Sequence, residues 1–233
     1  MRILAFESSA VGASVAYFRD GMPVATAFQA SGLTHSRTLL PMMESLLQNA
    51  GLTMADVDLL AVSHGPGSFT GLRIGVSLVK GLAFAEDLPC VGVSTLEAQA
   101  YSMPRMDAVL CAVMDARAGQ VYNALFDLSG EQPVRMCEDR AITVAELRAE
   151  LEKITRPIVL MGDGAHLLAD CGELAVPHLR MQNACGVARA AERLYRPDAG
   201  FTAAALRPEY LRLPQAERER LAREKEQERK QTL

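Results

Sequence analysis

A glycine-rich stretch, Ser63 to Gly75 (SHGPGSFTGLRIG), constrains the fold of this chain more than any other feature. It follows an apolar run over residues 57–62 and precedes a helix-like run over residues 72–85. The stretch therefore predicts a strand, a tight turn and a helix. Gly65 and Gly67 can adopt positive φ, and the proline between them stiffens the turn. This order of elements is typical of an α/β fold.

The residues alone leave two interpretations of this turn open. Ser68 or Thr70 can cap the helix, whose free N–H groups and positive dipole end would then bind a phosphate or a carboxylate. Alternatively, the glycines make a sharp turn and allow two elements to pack closely. Arg73, one turn into the helix, is suited either to clamping a phosphate or to forming an ion pair at an interface.

Composition limits the class of protein. The chain has 233 residues, 49% of them hydrophobic, and no apolar run of membrane-spanning length, which predicts a soluble globular protein. The first residues, MRILAFESS, predict a buried strand because their apolar part is too short for a signal peptide. Five scattered cysteines without a CxxC pair predict a reduced, cytoplasmic setting and no zinc ribbon. The net charge of −4 argues against a face dedicated to nucleic acid.

The predicted elements occur in the same order twice. In the first half we predict strands at 4–6, 13–18, 24–28, 57–62 and 90–93, and helices at 39–50, 70–86 and from Ser94. In the second half we predict strands at 108–114, 120–126, 134–137 and 158–161, and a helix near 144–154. Pro41 indicates that the first helix begins near residue 40 or is kinked there. The order suggests a duplicated β-β-β-α-β-α unit.

Five motifs resemble the TsaB (YeaZ) family. They are GPGSFTGLRIG, HSRTLLP from His35, VSTLEAQA from Val93, DARAGQVY from Asp115 and LRPEYLR from Leu206. The resemblance implies a two-lobed actin-like (ASKHA, ribonuclease-H-like) fold. We expect one lobe at 1–103 and the other at 104–213, with the last segment packing back on the first lobe. Residues 214–233 are rich in charge and predict a flexible tail.

The resemblance also implies a function. A TsaB-like chain would be a non-catalytic, cytoplasmic subunit in the synthesis of N6-threonylcarbamoyladenosine at position 37 of tRNAs that read codons beginning with adenine. It would dimerise with TsaD, recruit the ATPase TsaE, depend on TsaC for the threonylcarbamoyl-adenylate, and associate with itself as a homodimer. We expect tRNA contact only through the complex, no membrane contact, and no cofactor for the isolated chain. ATP or ADP with Mg²⁺ would act within the complex.

The first-lobe helices carry the candidate partner interface. Apolar, glycine-notched helix faces are usually intramolecular core, but the resemblance implies that these helices form a bundle with TsaD. The candidate interface residues are Leu39, Met43, Leu46, Leu47, Gly71, Arg73, Gly75, Leu78 and Leu82.

A nucleotide site is the competing prediction. Actin-like ATPases place carboxylates and small residues at the ends of the first strands of both lobes, and the candidate residues here are Glu7, Ser8, Gly65, Gly67, Ser68, Thr70 and Asp115. Glu7 and Asp115 would hold Mg²⁺ through water in an independent small-molecule kinase or ATPase. Gly162 to Gly164 (GDG) is the candidate adenosine contact.

Metal catalysis of the TsaD type is not expected. The resemblance implies a comparison with TsaD-type enzymes, which carry two histidines four residues apart on the helix after the fifth strand. At the corresponding positions this chain has Thr95 and Gln99. We therefore predict no metal site and no catalytic residue. Glu97 has capping-box spacing to Ser94, which gives it a structural role.

Overall fold

The computed structural model describes residues 1–212. The predicted charged tail, 214–233, lies outside the described residues. The strands are β1 (Arg2–Glu7), β2 (Ala13–Arg19), β3 (Met22–Gln29), β4 (Leu59–Gly65), β5 (Cys90–Ser94), β6 (Val109–Asp115), β7 (Gln120–Asp127), β8 (Val134–Arg135), β9 (Arg140–Thr143), β10 (Ile158–Met161) and β11 (Glu173–Leu174). The α-helices are α1 (His35–Asn49), α2 (Phe69–Ala85), α3 (Thr95–Ser102), α4 (Val144–Leu151), α5 (Pro177–Arg180) and α6 (Ala184–Leu194).

Two sheets of the same topology organise the described residues. The first has the order β3-β2-β1-β4-β5, and the second has the order β8-β7-β6-β10-β11, with β9 also pairing with β7. In each sheet the first three strands are antiparallel and the fourth and fifth are parallel to the first. The duplicated unit is therefore confirmed. In the second unit the last helix is reduced to a 3-10 turn at Ala165–Leu168.

Burial on both faces explains the apolar composition of the central strands. β1, β4 and β6 are almost continuously apolar, and both faces of these strands are covered. The edge strand β3 has one face on the protein and one exposed.

The helix boundaries follow local signals in most cases. Ser68 caps α2 by accepting a hydrogen bond from Gly71 N, and Gly51 follows α1 with a φ of +65°. The start of α1 is an exception, since this helix runs from His35 through Pro41 rather than beginning near residue 40. Four buried apolar side chains anchor α1 to the first sheet, and the free energy of this packing outweighs the cost of placing Pro41 inside the helix.

Helices cover both faces of the first sheet. α1 and α2 contribute to the core on one face, and α6 packs with α3 on the other. A Cβ built at Gly186 would lie 1.9 Å from Ala98 O, so α6 can cross α3 closely only because residue 186 is glycine. A helix from the second half of the chain thus completes the core of the first lobe.

No helix within residues 1–212 is both long enough and apolar enough to span a membrane.

Candidate functional site

A cleft of about 470 Å³ lies between the two lobes. Its walls come from the loop after β1, the start of α2, the end of β6 and the turn after β10. The lining residues include Ser9, Ser68, Thr70, Asp115 and Asp163. We call this space the interlobe cleft.

Glu7 does not line the interlobe cleft. Its side chain is fully buried and accepts hydrogen bonds from Ser9 N at 2.6 Å and from the Ser63 hydroxyl. Burial raises the pKa of the Glu7 carboxyl, while the hydrogen bonds from Ser63 and Ser9 oppose that rise. Ser8 is also fully buried, and its hydroxyl donates to Gly71 O at 2.9 Å. Glu7 is held inside the first lobe and does not line the cleft with Asp115. A shared role of these two carboxylates in holding Mg²⁺ stays a prediction.

Glu7 should make stability depend on pH. A carboxyl whose pKa is raised on folding stabilises the protein below its unfolded pKa, near 4.5, and this contribution is lost as pH rises through the folded pKa. Replacing Glu7 by neutral glutamine should remove that loss, so the stability of Glu7→Gln relative to wild type should increase between pH 4 and pH 8. Urea unfolding at several pH values measures this. A constant difference across the range would contradict the assignment.

The glycine turn is built for close contact within the chain. Gly65 has a φ of +147°, and a Cβ built there would lie 2.1 Å from Glu209 O. A Cβ at Gly67 would lie 2.5 Å from Ser9 O, which also accepts a hydrogen bond from Ser68 N at 2.7 Å. These contacts favour the packing interpretation of the turn. Ser68 rather than Thr70 is the cap, and both residues face the cleft.

The partner of the turn is the C-terminal segment, residues 206–212. Glu209 N donates to His64 O at 2.7 Å, which joins this segment to the end of β4. The ring of Tyr210 stacks on Phe69 with centroids 4.4 Å apart, and Arg73 Nε donates to the Tyr210 hydroxyl at 3.0 Å. The motifs GPGSFTGLRIG and LRPEYLR are therefore in contact. Sequence reasoning expected the last segment to pack on the first lobe, but it did not identify the contact between these two motifs.

The C-terminal segment also reaches the second lobe. The guanidinium of Arg212 donates to Ala116 O and, at 3.4 Å, to Arg117 O. Because Ala116 and Arg117 line the interlobe cleft, the segment bridges the two lobes at the mouth of the cleft.

The second-lobe wall of the cleft carries two carboxylates. Asp115 ends β6, and its Oδ1 accepts a hydrogen bond from Arg117 N at 2.7 Å. Asp163 follows β10, and its Oδ1 accepts a hydrogen bond from Gln182 Nε2 at 3.0 Å. Burial raises the pKa of Asp163, and the charge of Asp115 raises it further. Asp163 is half-buried because the GDG turn folds against β6.

The GDG turn itself is a packing element. A Cβ at Gly162 would lie 2.0 Å from Val113 O, and one at Gly164 would lie 2.8 Å from the carbonyl carbon of Met114. The two glycines thus allow the turn to lie directly on the end of β6. The adenosine contact suggested for this turn stays untested.

The two positions compared with metal-binding histidines lie on one buried face of α3. Thr95 and Gln99 are at most 1% exposed, and the Thr95 hydroxyl and both Gln99 amide atoms have no hydrogen-bond partner among residues 1–212. Across the described chain, no group of three or more histidine, cysteine, aspartate or glutamate side chains is placed to hold a metal ion. Ser94 accepts from Glu97 N, but the Glu97 carboxylate pairs with Arg135 at 3.2 Å instead of completing a capping box.

Most of the candidate interface residues face inward. Leu39, Met43, Leu46, Leu47, Gly71 and Gly75 are buried. A Cβ at Gly71 would lie 2.0 Å from Ser8 O, and one at Gly75 would lie 2.3 Å from Ser8 Oγ, so both glycines allow α2 to contact Ser8, directly after β1. Leu78 and Leu82 are partly buried against the core, and Arg73 is exposed. Their role in partner binding stays a prediction.

Comparison with known proteins defines the family. The tRNA threonylcarbamoyladenosine biosynthesis protein TsaB of Escherichia coli is 34% identical to this chain over 176 residues. The match covers 74% of this chain and 76% of that protein. The chain belongs to the TsaB family. The model of the related family TsaD, tRNA N6-adenosine threonylcarbamoyltransferase, matches residues 29–157.

Solved structures identify the fold of this TsaB family member. YeaZ from Pseudomonas aeruginosa matches with a TM-score of 0.76 and 26% identity, over 90% of this chain and 99% of YeaZ. Component A of (R)-2-hydroxyglutaryl-CoA dehydratase from Acidaminococcus fermentans matches at 13% identity with a TM-score of 0.50, over 83% of this chain and 98% of that protein, and this likeness concerns the fold alone. The expected two-lobed actin-like fold is confirmed.

Proposed function

We propose that this chain is a non-catalytic subunit for the N6-threonylcarbamoylation of adenosine 37 in tRNAs that read codons beginning with adenine. The observation that carries the proposal is the 34% identity to TsaB over three quarters of the chain. In this proposal the chain dimerises with TsaD and recruits TsaE, and TsaD uses the threonylcarbamoyl-adenylate that TsaC supplies. It works in the cytoplasm, contacts tRNA only through the complex, and forms a homodimer when TsaD is absent.

The chemistry of α3 supports a non-catalytic role. Thr95 and Gln99 offer a hydroxyl and an amide, which are poor substitutes for two neutral imidazoles as ligands of a transition metal. In this proposal the transferase chemistry belongs to TsaD, and the chain needs no cofactor of its own. ATP or ADP with Mg²⁺ acts within the assembled complex.

The alternative, an independent actin-like kinase or ATPase, would have only one of its two central carboxylates, Asp115, in the cleft. Glu7 is enclosed by Ser9 and Ser63, and Gly65 and Gly67 lie against backbone oxygen atoms. A phosphate-binding role for Ser68, Thr70 and Asp115 would therefore have to work without Glu7.

A reconstituted assay tests the proposed function. The isolated chain should not incorporate labelled threonine into tRNA with bicarbonate and ATP, and incorporation should appear when TsaD, TsaE and TsaC of the same host are added. Leaving this chain out of the full mixture should abolish the product, which nucleoside mass spectrometry detects directly. Modification by the isolated chain, or full activity of the mixture without it, would refute the proposal.

A further inference from the structure

A second cavity, of about 420 Å³, lies where the edge strand β3 meets α5 and the start of α6. We call this cavity the β3–α6 pocket. It shares no lining residue with the interlobe cleft. Pockets that bind small molecules typically have volumes of about 300–1,000 Å³. The β3–α6 pocket is therefore large enough for a small organic ligand.

The walls of the β3–α6 pocket are mainly apolar. One wall is the ring of Phe28, and the opposite wall includes Pro177, Leu179 and Met181. The Phe28 ring packs against Gly12, where a Cβ would come within 2.8 Å of Cε2, yet Phe28 is 49% exposed. The ring is thus seated on the backbone and still accessible from the pocket. Aromatic and aliphatic walls of this kind favour a ligand with an apolar body.

The neutral polar groups at the base of the pocket already have partners. Ser14 Oγ donates to Ala27 O at 2.9 Å and accepts a hydrogen bond from Ala184 N at 3.2 Å. Asn183 Oδ1 accepts hydrogen bonds from the next two N–H groups in the first turn of α6. The N–H groups of residues 184–186 are therefore all occupied. Any charged group of a ligand has to be recognised by side chains of the pocket wall.

The charge of the wall is positive. Among the described residues that line the pocket, Arg189 is basic and none is aspartate or glutamate. Arg189 Nη1 donates to Tyr101 O at 2.5 Å, and the guanidinium forms no ion pair within residues 1–212. His178 is exposed on the same wall, and its ring has no hydrogen bond in the described chain. The remaining donors of these two side chains are available to an anion.

We propose that the β3–α6 pocket binds a small organic anion, a carboxylate or sulfonate with an apolar body. The apolar body lies against Phe28, Leu179 and Met181, and the head group accepts hydrogen bonds from Arg189 and His178. Arginine suits this role because its planar guanidinium presents paired donors to an oxyanion. The pocket belongs to the isolated chain and takes no part in the proposed role in tRNA modification, so the two proposals can fail independently.

Fluorescence titration of the full isolated chain with anilinonaphthalene sulfonate tests the pocket, because this probe joins an aromatic body to an anionic head group. We expect one saturable site from which octanoate displaces the probe. Octanol has the same carbon chain without the charge and should compete at least tenfold more weakly. Arg189→Gln should weaken octanoate binding at least tenfold. Arg193→Gln, one turn further along α6 and outside the pocket lining, should bind octanoate as the wild type does.

Cys185 provides a second readout at the site itself. It is a free, half-buried cysteine that lines the pocket. Saturating octanoate should slow its alkylation by iodoacetamide at least fivefold. Cys137 and Cys171 are also half-buried but lie outside the pocket, so their alkylation should be unaffected. Mass spectrometry of the digested chain measures the three rates separately.

Circular dichroism checks that each variant folds. If Arg189→Gln does not fold, Phe28→Ser on the exposed edge strand takes its place and should also weaken octanoate binding. The proposal would be overturned if the wild type has no site from which octanoate displaces the probe, or if octanol competes as well as octanoate. Equal octanoate affinity of the wild type and the folded pocket variant, or unchanged alkylation of Cys185 in saturating octanoate, would also overturn it.

Discussion

The Gly71→Ala variant should be less stable than the wild type by about 3 kcal/mol, at the upper end of the cost of overpacking a core. A Cβ at this position would lie 2.0 Å from the backbone oxygen of Ser8, and the Ser8 hydroxyl also donates to Gly71 O. Relief would require α2 to move away from the end of β1, which would disturb the buried side chains between them. Urea unfolding followed by circular dichroism measures the loss.

Gly81→Ala in the same helix is the matched control. Gly81 is exposed, and a Cβ there would meet nothing within 4 Å. Alanine is the better helix former by about 0.5–1 kcal/mol, so this variant should be more stable than the wild type. If both substitutions change the free energy of unfolding in the same direction, close contact is not the reason for glycine at position 71.

The Ser77→Arg variant should bind TsaD at least 100-fold more weakly than the wild type, which corresponds to about 2.7 kcal/mol. Ser77 lies on the exposed face of α2 with Arg73, Gly81 and Phe84, and Phe84 is 86% exposed. In the proposed bundle a long charged side chain on this face would have to be desolvated against the partner helix. Because Ser77 is exposed, the variant should keep the wild-type stability. Calorimetry with purified TsaD measures the affinity.

Ala149→Arg provides the control for the interface. Ala149 is a small, exposed residue of α4 in the second lobe, so the same chemical change there should leave TsaD binding unaltered. Equal effects of the two substitutions would indicate a general consequence of added charge. Wild-type affinity of a folded Ser77→Arg chain would place the interface on another surface.

Features with a local cause could be predicted from the sequence. The Ser68 cap, the Thr143–Glu146 capping box and the glycine after α1 each depend on residues within a few positions of one another, and all three are present. The alternation of strands and helices also sufficed to predict two copies of one unit, because hydrophobic periodicity is a local signal.

Features that depend on distant contacts could not be predicted. Glu7 is the last residue of one buried strand and Asp163 closely follows another, yet Glu7 is fully buried and Asp163 lines the cleft. Which way a side chain turns at the end of a strand depends on the elements that pack there. In the same way, the need for glycine at position 65 comes from Glu209, 144 positions later in the chain, and no local pattern predicts that contact.

The position of α6 has a consequence for synthesis on the ribosome. One face of the first sheet is covered by α6, whose residues are translated about 90 positions after the last strand of that sheet. At roughly 5–20 residues per second, the emerging amino-terminal part waits about 5–20 s with that apolar face covered only in part, by α3. During this interval the nascent chain offers a binding surface for chaperones, and the first lobe can close its core only after α6 has been translated.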